Sequence, residues 1–196
     1  MYFEGRYSHH LADMDSDYVD QYGYDIDHLY EWSCENDPDF FSMEDTLSYN
    51  LNVYGHIVVA CLTMGIQSVA DIGCGCGQQS KMFAESDIDY VGIEPSWIPF
   101  YGEGRSGCSI LRCNYPDCGN PGVQAAISSH CVGTGVLWEP EAIADDFDVF
   151  IGNCYQEFFE ELREFYPEFM EIEAENLGYH PEAARVPMMI GICSRL

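Results

Sequence analysis

The sequence predicts an α/β fold: a doubly wound, mostly parallel sheet with helices on both faces. Three observations carry that expectation. Short apolar runs alternate with stretches at helical spacing, the clearest run being Ser68–Ile72. That run empties into glycines at alternate positions, Gly73-Cys74-Gly75-Cys76-Gly77. A second apolar run follows one short helical stretch and ends in an acid, Glu94. Strands separated by helices pair in parallel and are covered on both sides.

Residues 1–42 are acidic and rich in tyrosine (Tyr2, Tyr7, Tyr18, Tyr22, Tyr24, Tyr30), and are set apart as an N-terminal extension or lid. The α/β domain then occupies 43–196. A helix is expected over 43–64, capped by Ser42 and ended by Gly65, with an apolar stripe of Leu47, Leu51, Tyr54, Ile57, Val58, Cys61 and Leu62. The first strand is Ser68–Ile72, and Gln78–Ser86 is the helix after the turn. Tyr90–Glu94 is the second strand, stopped by Pro95. Trp97–Tyr101 forms a short helix or turn. Ser109–Tyr115 is a third strand, closed by Pro116-Asp117, and Val123–Ser128 is a buried fourth. Trp138–Asp146 is helical, with Pro140 in its first turn. Phe147–Gly152 is the fifth strand. Gln156–Asn176 reads as one long acidic helix, broken or kinked at Pro167. Val186–Cys193 is the sixth and last strand, so the sheet is expected to be shortened at its C-terminal end. An alternative register would make Gly135–Glu139 the third strand and 97–120 an insertion. The first register is preferred because its connections have ordinary lengths.

A chain of 196 residues is long enough for one domain with a sizeable core. Its charge is unusual: 34 acids against 7 bases give a formal net charge of −27, and Lys81 is the one lysine. Such a surface repels phosphate backbones and anionic membranes. It fits a small-molecule or cationic-protein substrate better than nucleic acid. Scarce lysine and abundant carboxylates also fit adaptation to high salt, where screening removes the self-repulsion. In that case the acidity speaks less strongly against nucleic acid. No apolar run is long enough to span a membrane. The first residues lack a basic start and an apolar run, so the expected location is the cytoplasm and the ten cysteines are expected to be free thiols.

Alternate glycines let a backbone turn sharply and approach a ligand without side-chain clash. The start of the following helix offers unpaired amides. An acid at the end of the next strand can accept both hydroxyls of a ribose. Dinucleotide binders use Gly-x-Gly-x-x-Gly, but here the position of the last glycine holds Gln78. The stretch Val69-Ala70-Asp71-Ile72-Gly73-Cys74-Gly75-Cys76-Gly77 instead resembles the first motif of the class I S-adenosylmethionine-dependent methyltransferases. Tyr90-Val91-Gly92-Ile93-Glu94-Pro95-Ser96 resembles their second. The resemblance covers 66–96 and agrees in layout from about 43 to 193.

The resemblance implies a Rossmann-like domain, S-adenosylmethionine as cofactor, and methyl transfer by in-line displacement at a sulfonium. It implies that Asp71 organises the loop and reaches the methionine amino group through water. Gly73, Cys74, Gly75 and Gly77 would pass under the methionine and ribose, and Glu94 would hold the ribose hydroxyls. Asp117 is the candidate for the adenine amino group. Ser128, closing the fourth strand, would line the pocket beside the acceptor. His130 is the candidate base for an acceptor that must lose a proton. The alternative is a non-catalytic binding or assembly protein on the same scaffold, suggested by the acidic extension and the shortened sheet. Cys108, Cys113 and Cys118, with His130 and Cys131 further on, just reach the spacing of a zinc site, but Cys113 falls inside an expected strand; buried free thiols are the preferred reading and no metal is expected.

Overall fold

The computed structural model describes residues 43–75, 77, 79–94, 108–129, 131–133, 137–173 and 188–195, with backbone alone over 43–50 and at 188. Helix α1, Met43–Met64, leads into strand β1, Ser68–Ile72. Helix α2 is Ser80–Ala84 and β2 is Asp89–Ile93. Strands β3, Ser109–Leu111, and β4, Ala125–Ser129, follow, then helix α3, Pro140–Asp146. Strand β5, Val149–Tyr155, runs straight into helix α4, Gln156–Leu162. Strands β6, Glu168–Ile172, and β7, Met188–Ser194, complete the described elements.

The seven strands form one sheet in the order β3-β2-β1-β4-β5-β7-β6. The pairs β1–β2, β1–β4, β2–β3 and β4–β5 are parallel, and β7 is antiparallel to both β5 and β6. Chain order reverses between β1 and β4, which opens a crevice at the carboxyl ends of those strands. The glycine turn leaves β1 at this point.

Alternation along each strand sends neighbours to opposite faces. Val69 joins Val53, Ile57 and Cys61 of α1 and Phe83 of α2 on one face, with Ile127 and Ile151 from β4 and β5. Ala70 and Ile72 point the other way, to Ile143 of α3 and Phe158, Phe159 and Leu162 of α4. Each of these larger side chains, fully buried, contributes about 1.5–3 kcal/mol. Tyr166 is buried with its hydroxyl donating to the carbonyl of Phe147 at 2.7 Å, so its ring packs without leaving a polar atom unmatched.

The preferred register of strands is the one found, and α1 and β1 have the expected bounds. The C-terminal third differs. Instead of a long helix over Gln156–Asn176 there is a two-turn helix, a turn at Arg163–Tyr166 and the strand Glu168–Ile172. Pro167 bars continuation of the helix. The sheet therefore has seven strands and is not shortened. β3 ends at Leu111, where the amide of Cys113 bonds the carbonyl of Leu111 in a tight turn. Leu62 is not part of the buried stripe: it is 55% exposed, while Val53 takes a core place. The Trp97–Tyr101 turn and the extension 1–42 lie outside the described residues. Among the described residues no helix is long and apolar enough to cross a membrane. Cys61, Cys74, Cys131, Cys154 and Cys193 are buried free thiols as expected, whereas Cys108, Cys113 and Cys118 are only half-buried.

Candidate functional site: a glycine loop closed by two acids

The site begins where β1 ends. Gly73, Gly75 and Gly77 have φ of 76°, 54° and 64°, in the left-handed region that side chains disfavour. These angles fold the chain back so that the amides of Gly73 and Cys74 both reach the carbonyl of Ile93, at 2.8 and 3.3 Å. The amide of Gly77 bonds the carbonyl of Cys74 at 3.1 Å, and that of Ser80 the carbonyl of Gly77 at 3.0 Å. A side chain on Gly75 would meet nothing within 4 Å, so the loop presents bare backbone to open space there.

Glu94 follows β2 directly and is fully buried. Register places Ile72 beside Ile93, so Glu94 stands level with the turn. Its carboxylate accepts the amide of Gly75 at 3.1 Å. The amides of Gly73, Cys74, Gly75 and Gly77 are thus given to protein oxygens, and the loop tip carries a carboxylate. A pyrophosphate would find neither free donors nor a favourable charge. Helix α2, with five residues, is too short to add the anion-binding helix end expected from the sequence. The arrangement suits a cofactor without a phosphate at this position and with a diol for Glu94.

Asp71 is fully buried under the loop. Tyr54 of α1 donates to Oδ1 at 2.9 Å, and Tyr90 of β2 and the Gln79 amide donate to Oδ2, each at 2.6 Å. Burial pushes this carboxyl up to about 6; the three donors oppose the shift, and the nearby Glu94 adds to it. Burial, then the Asp71 charge, raises the hydroxyls of Tyr54 and Tyr90 well above the usual phenol range, so both stay protonated donors.

An acid whose carboxyl is raised on folding is stabilising when protonated, and that contribution is lost as pH rises through about 6. Ionising Asp71 then costs about 3 kcal/mol. The loss runs from the unfolded value of 3.8 up to about 6, so the expected result for Asp71→Asn, which keeps the shape without the charge, is that it gains on the native chain by about 2 kcal/mol between pH 4.5 and 7.5. Urea unfolding of both proteins at the two pH values measures it. Equal pH dependence would contradict the assignment.

The remaining expected site residues are placed as follows. The Cys74 side chain turns into the core beneath the loop, where a Cβ on Gly92 would come within 2.5 Å of its sulfur. Only the Cys74 backbone belongs to the loop surface. Ser128 is buried: its hydroxyl donates to the carbonyl of Ile72 at 2.9 Å and accepts the amide of Val132 at 3.1 Å, joining the ends of β1 and β4. Asp117 is exposed on the turn after β3, which Tyr115 ties to α3 through bonds to Ala142 and Asp146. His130 lies outside the described residues. Three participants were missed: Tyr54 read as an apolar-stripe residue, Tyr90 as strand filler, and Gln79 as an ordinary helix position. The available signal was that a buried acid requires donors, and that a buried tyrosine needs a partner for its hydroxyl.

This loop, sheet order and antiparallel last strand make up the Rossmann-like fold of the class I S-adenosylmethionine-dependent methyltransferases, and the chain has that fold. Among solved structures it is similar to magnesium protoporphyrin IX methyltransferase (ChlM) from Synechocystis PCC 6803 with bound SAM. The TM-score is 0.58 at 12% identity, over 93% of this chain and 96% of that one. It is also similar to the methyltransferase domain of bacterial CtHen1, with TM-score 0.52 and 15% identity over 74% of this chain and 99% of that one. A third similar structure is the S-adenosylmethionine-dependent methyltransferase SibL in its apo form, with TM-score 0.54 and 11% identity over 72% of this chain and 54% of that one. No protein-family model and no curated protein matches the sequence.

Proposed function

We propose that the protein binds S-adenosylmethionine at the glycine loop and transfers its methyl group to a small-molecule or protein acceptor. The observation that carries the reading is the bond from the Gly75 amide to Glu94 at 3.1 Å. It sets a carboxylate at the tip of a loop whose Gly73, Cys74, Gly75 and Gly77 amides are already satisfied, which favours a ribose diol and disfavours a pyrophosphate. The bound cofactor would supply an electrophilic methyl group on a sulfonium.

The protein's part is chiefly alignment, since in-line displacement needs proximity and orientation more than covalent help. Glu94 would hold the ribose hydroxyls. The bare backbone at Gly75 would let the cofactor lie close, and the carboxyl end of β4 at Ser129, with Asn153 of β5 beside it, would face the acceptor. His130 is proposed as the base where the acceptor must lose a proton. The seven-strand sheet removes one ground for reading the chain as a binding protein only.

The test is turnover. Protein incubated with S-adenosylmethionine and a panel of small-molecule and protein extracts should form S-adenosylhomocysteine, detected by mass spectrometry. Tight cofactor binding with no product across the panel would overturn the catalytic part.

A further inference from the structure

Asp71 sits at the meeting point of four parts of the chain. It is the penultimate residue of β1, two before Gly73, and accepts Tyr54 from α1, Tyr90 from β2 and Gln79 from the end of the loop. Gln79 also donates to the carbonyl of Cys74 at 2.9 Å, inside the loop itself. A carboxylate has about four acceptor positions. Three are filled by protein donors here, and Asp71, Tyr54, Tyr90 and Gln79 are 0%, 4%, 9% and 7% exposed. The Asp71 carboxylate is thus held chiefly by protein donors, which tie it to the loop backbone.

We propose that Tyr54, Tyr90 and Gln79 are positioning residues for the cofactor loop that act through the Asp71 carboxylate, making the first helix part of the cofactor site. The inference rests on the cofactor reading above, but the geometry it invokes exists without ligand. Tyr54 lies near the middle of a 22-residue helix, about 33 Å long, yet touches the last turn of β1. A displacement of α1 thereby reaches the loop through one hydroxyl. Ring packing is a separate matter: Tyr54 meets Phe83 edge-on at 6.2 Å, and Phe83 meets Tyr90 at 5.3 Å. Phenylalanine at 54 or 90 keeps those contacts and removes the hydroxyl alone.

The experiment is a double-mutant cycle of Tyr54→Phe with Asp71→Ala, which removes the acceptor, read in two ways. The first is amide hydrogen exchange across the loop in protein without ligand, referenced to amides of β5. The second is affinity for S-adenosylhomocysteine by calorimetry. Hydrogen bonds to a charged group are strong enough that Tyr54→Phe is expected to speed loop exchange and to weaken the ligand by about tenfold each. The β5 amides should be unchanged. In the Asp71→Ala background, where no acceptor is left for the hydroxyl, the same substitution should change either quantity less than about twofold. Equal effects in both backgrounds, or loop and β5 amides accelerated together, would overturn the proposal. A parallel cycle with Tyr90→Phe approaches the carboxylate from β2 and is held to the same criterion. A native chain that binds no ligand contradicts the cofactor reading alone, because loop exchange still decides the positioning role.

Discussion

Glu94→Ala is expected to weaken S-adenosylmethionine binding by at least about a hundredfold while leaving the protein folded. The side chain would lose two hydrogen bonds to the ribose, each charge-assisted and worth roughly 1.5–3 kcal/mol, so the combined loss is at least about 3 kcal/mol. It also loses the bond that fixes the Gly75 amide at the loop tip. Stability should move little by comparison. One loop amide loses a partner, but a fully buried carboxylate that faces Asp71 is removed at the same time. Calorimetric titration and thermal unfolding of the same sample separate the two effects. A variant that binds nearly as well as the native chain would show that Glu94 serves the loop and not the ligand.

The largest loss of stability is expected from Gly133→Ala. Gly133 follows β4 with φ of 68°, and its carbonyl accepts the amide of Tyr155 at 3.0 Å. An added Cβ would come within 2.4 Å of the Phe158 ring and 2.8 Å of the Cys154 Cβ. Phe158 cannot give way: it is fully buried, with Trp138 at 5.2 Å and Phe150 at 6.0 Å against it. Left-handed backbone strain of about 1–2 kcal/mol adds to an overpacking cost of about 1–3 kcal/mol or more. The sum, about 2–5 kcal/mol, is a large share of the stability of a typical domain. Denaturant unfolding should show a sharply lower midpoint with an unchanged slope. A loss under about 1 kcal/mol would mean that the turn relaxes away from α4.

Most of the site's frame was legible because it is local. A short, mostly apolar run followed by alternate glycines defines β1 and its turn, and Glu94 closes the next run. Helix α1 declared itself by an apolar stripe and a terminal Gly65, whose φ is 73°. β6 was hidden because Glu168 and Glu171 make an edge strand look like the outer face of a helix. Charges of that kind suit the exposed edge of a sheet, where they discourage further pairing. Pro167 was the visible warning, and the helix ends before it, at Leu162. The Asp71 cluster was hidden for another reason. Tyr54 and Asp71 are seventeen residues apart and meet only after α1 has folded back along β1. Helical periodicity assigns Tyr54 to the core correctly but says nothing about its hydroxyl. The same holds for Ser128, whose partners in β1 and in the turn after β4 are set by the sheet and not by its neighbours in sequence.

The central claim, that this loop takes a sulfonium nucleoside and not a dinucleotide, is tested most directly by calorimetric titration of the native chain. S-adenosylmethionine, S-adenosylhomocysteine and NADH would each be added at low and at high salt, with circular dichroism confirming a folded sample. The account predicts saturable one-site binding of the first two and none of the third. Absence of binding by both sulfur nucleosides up to millimolar concentration, or tighter binding of NADH, would contradict it.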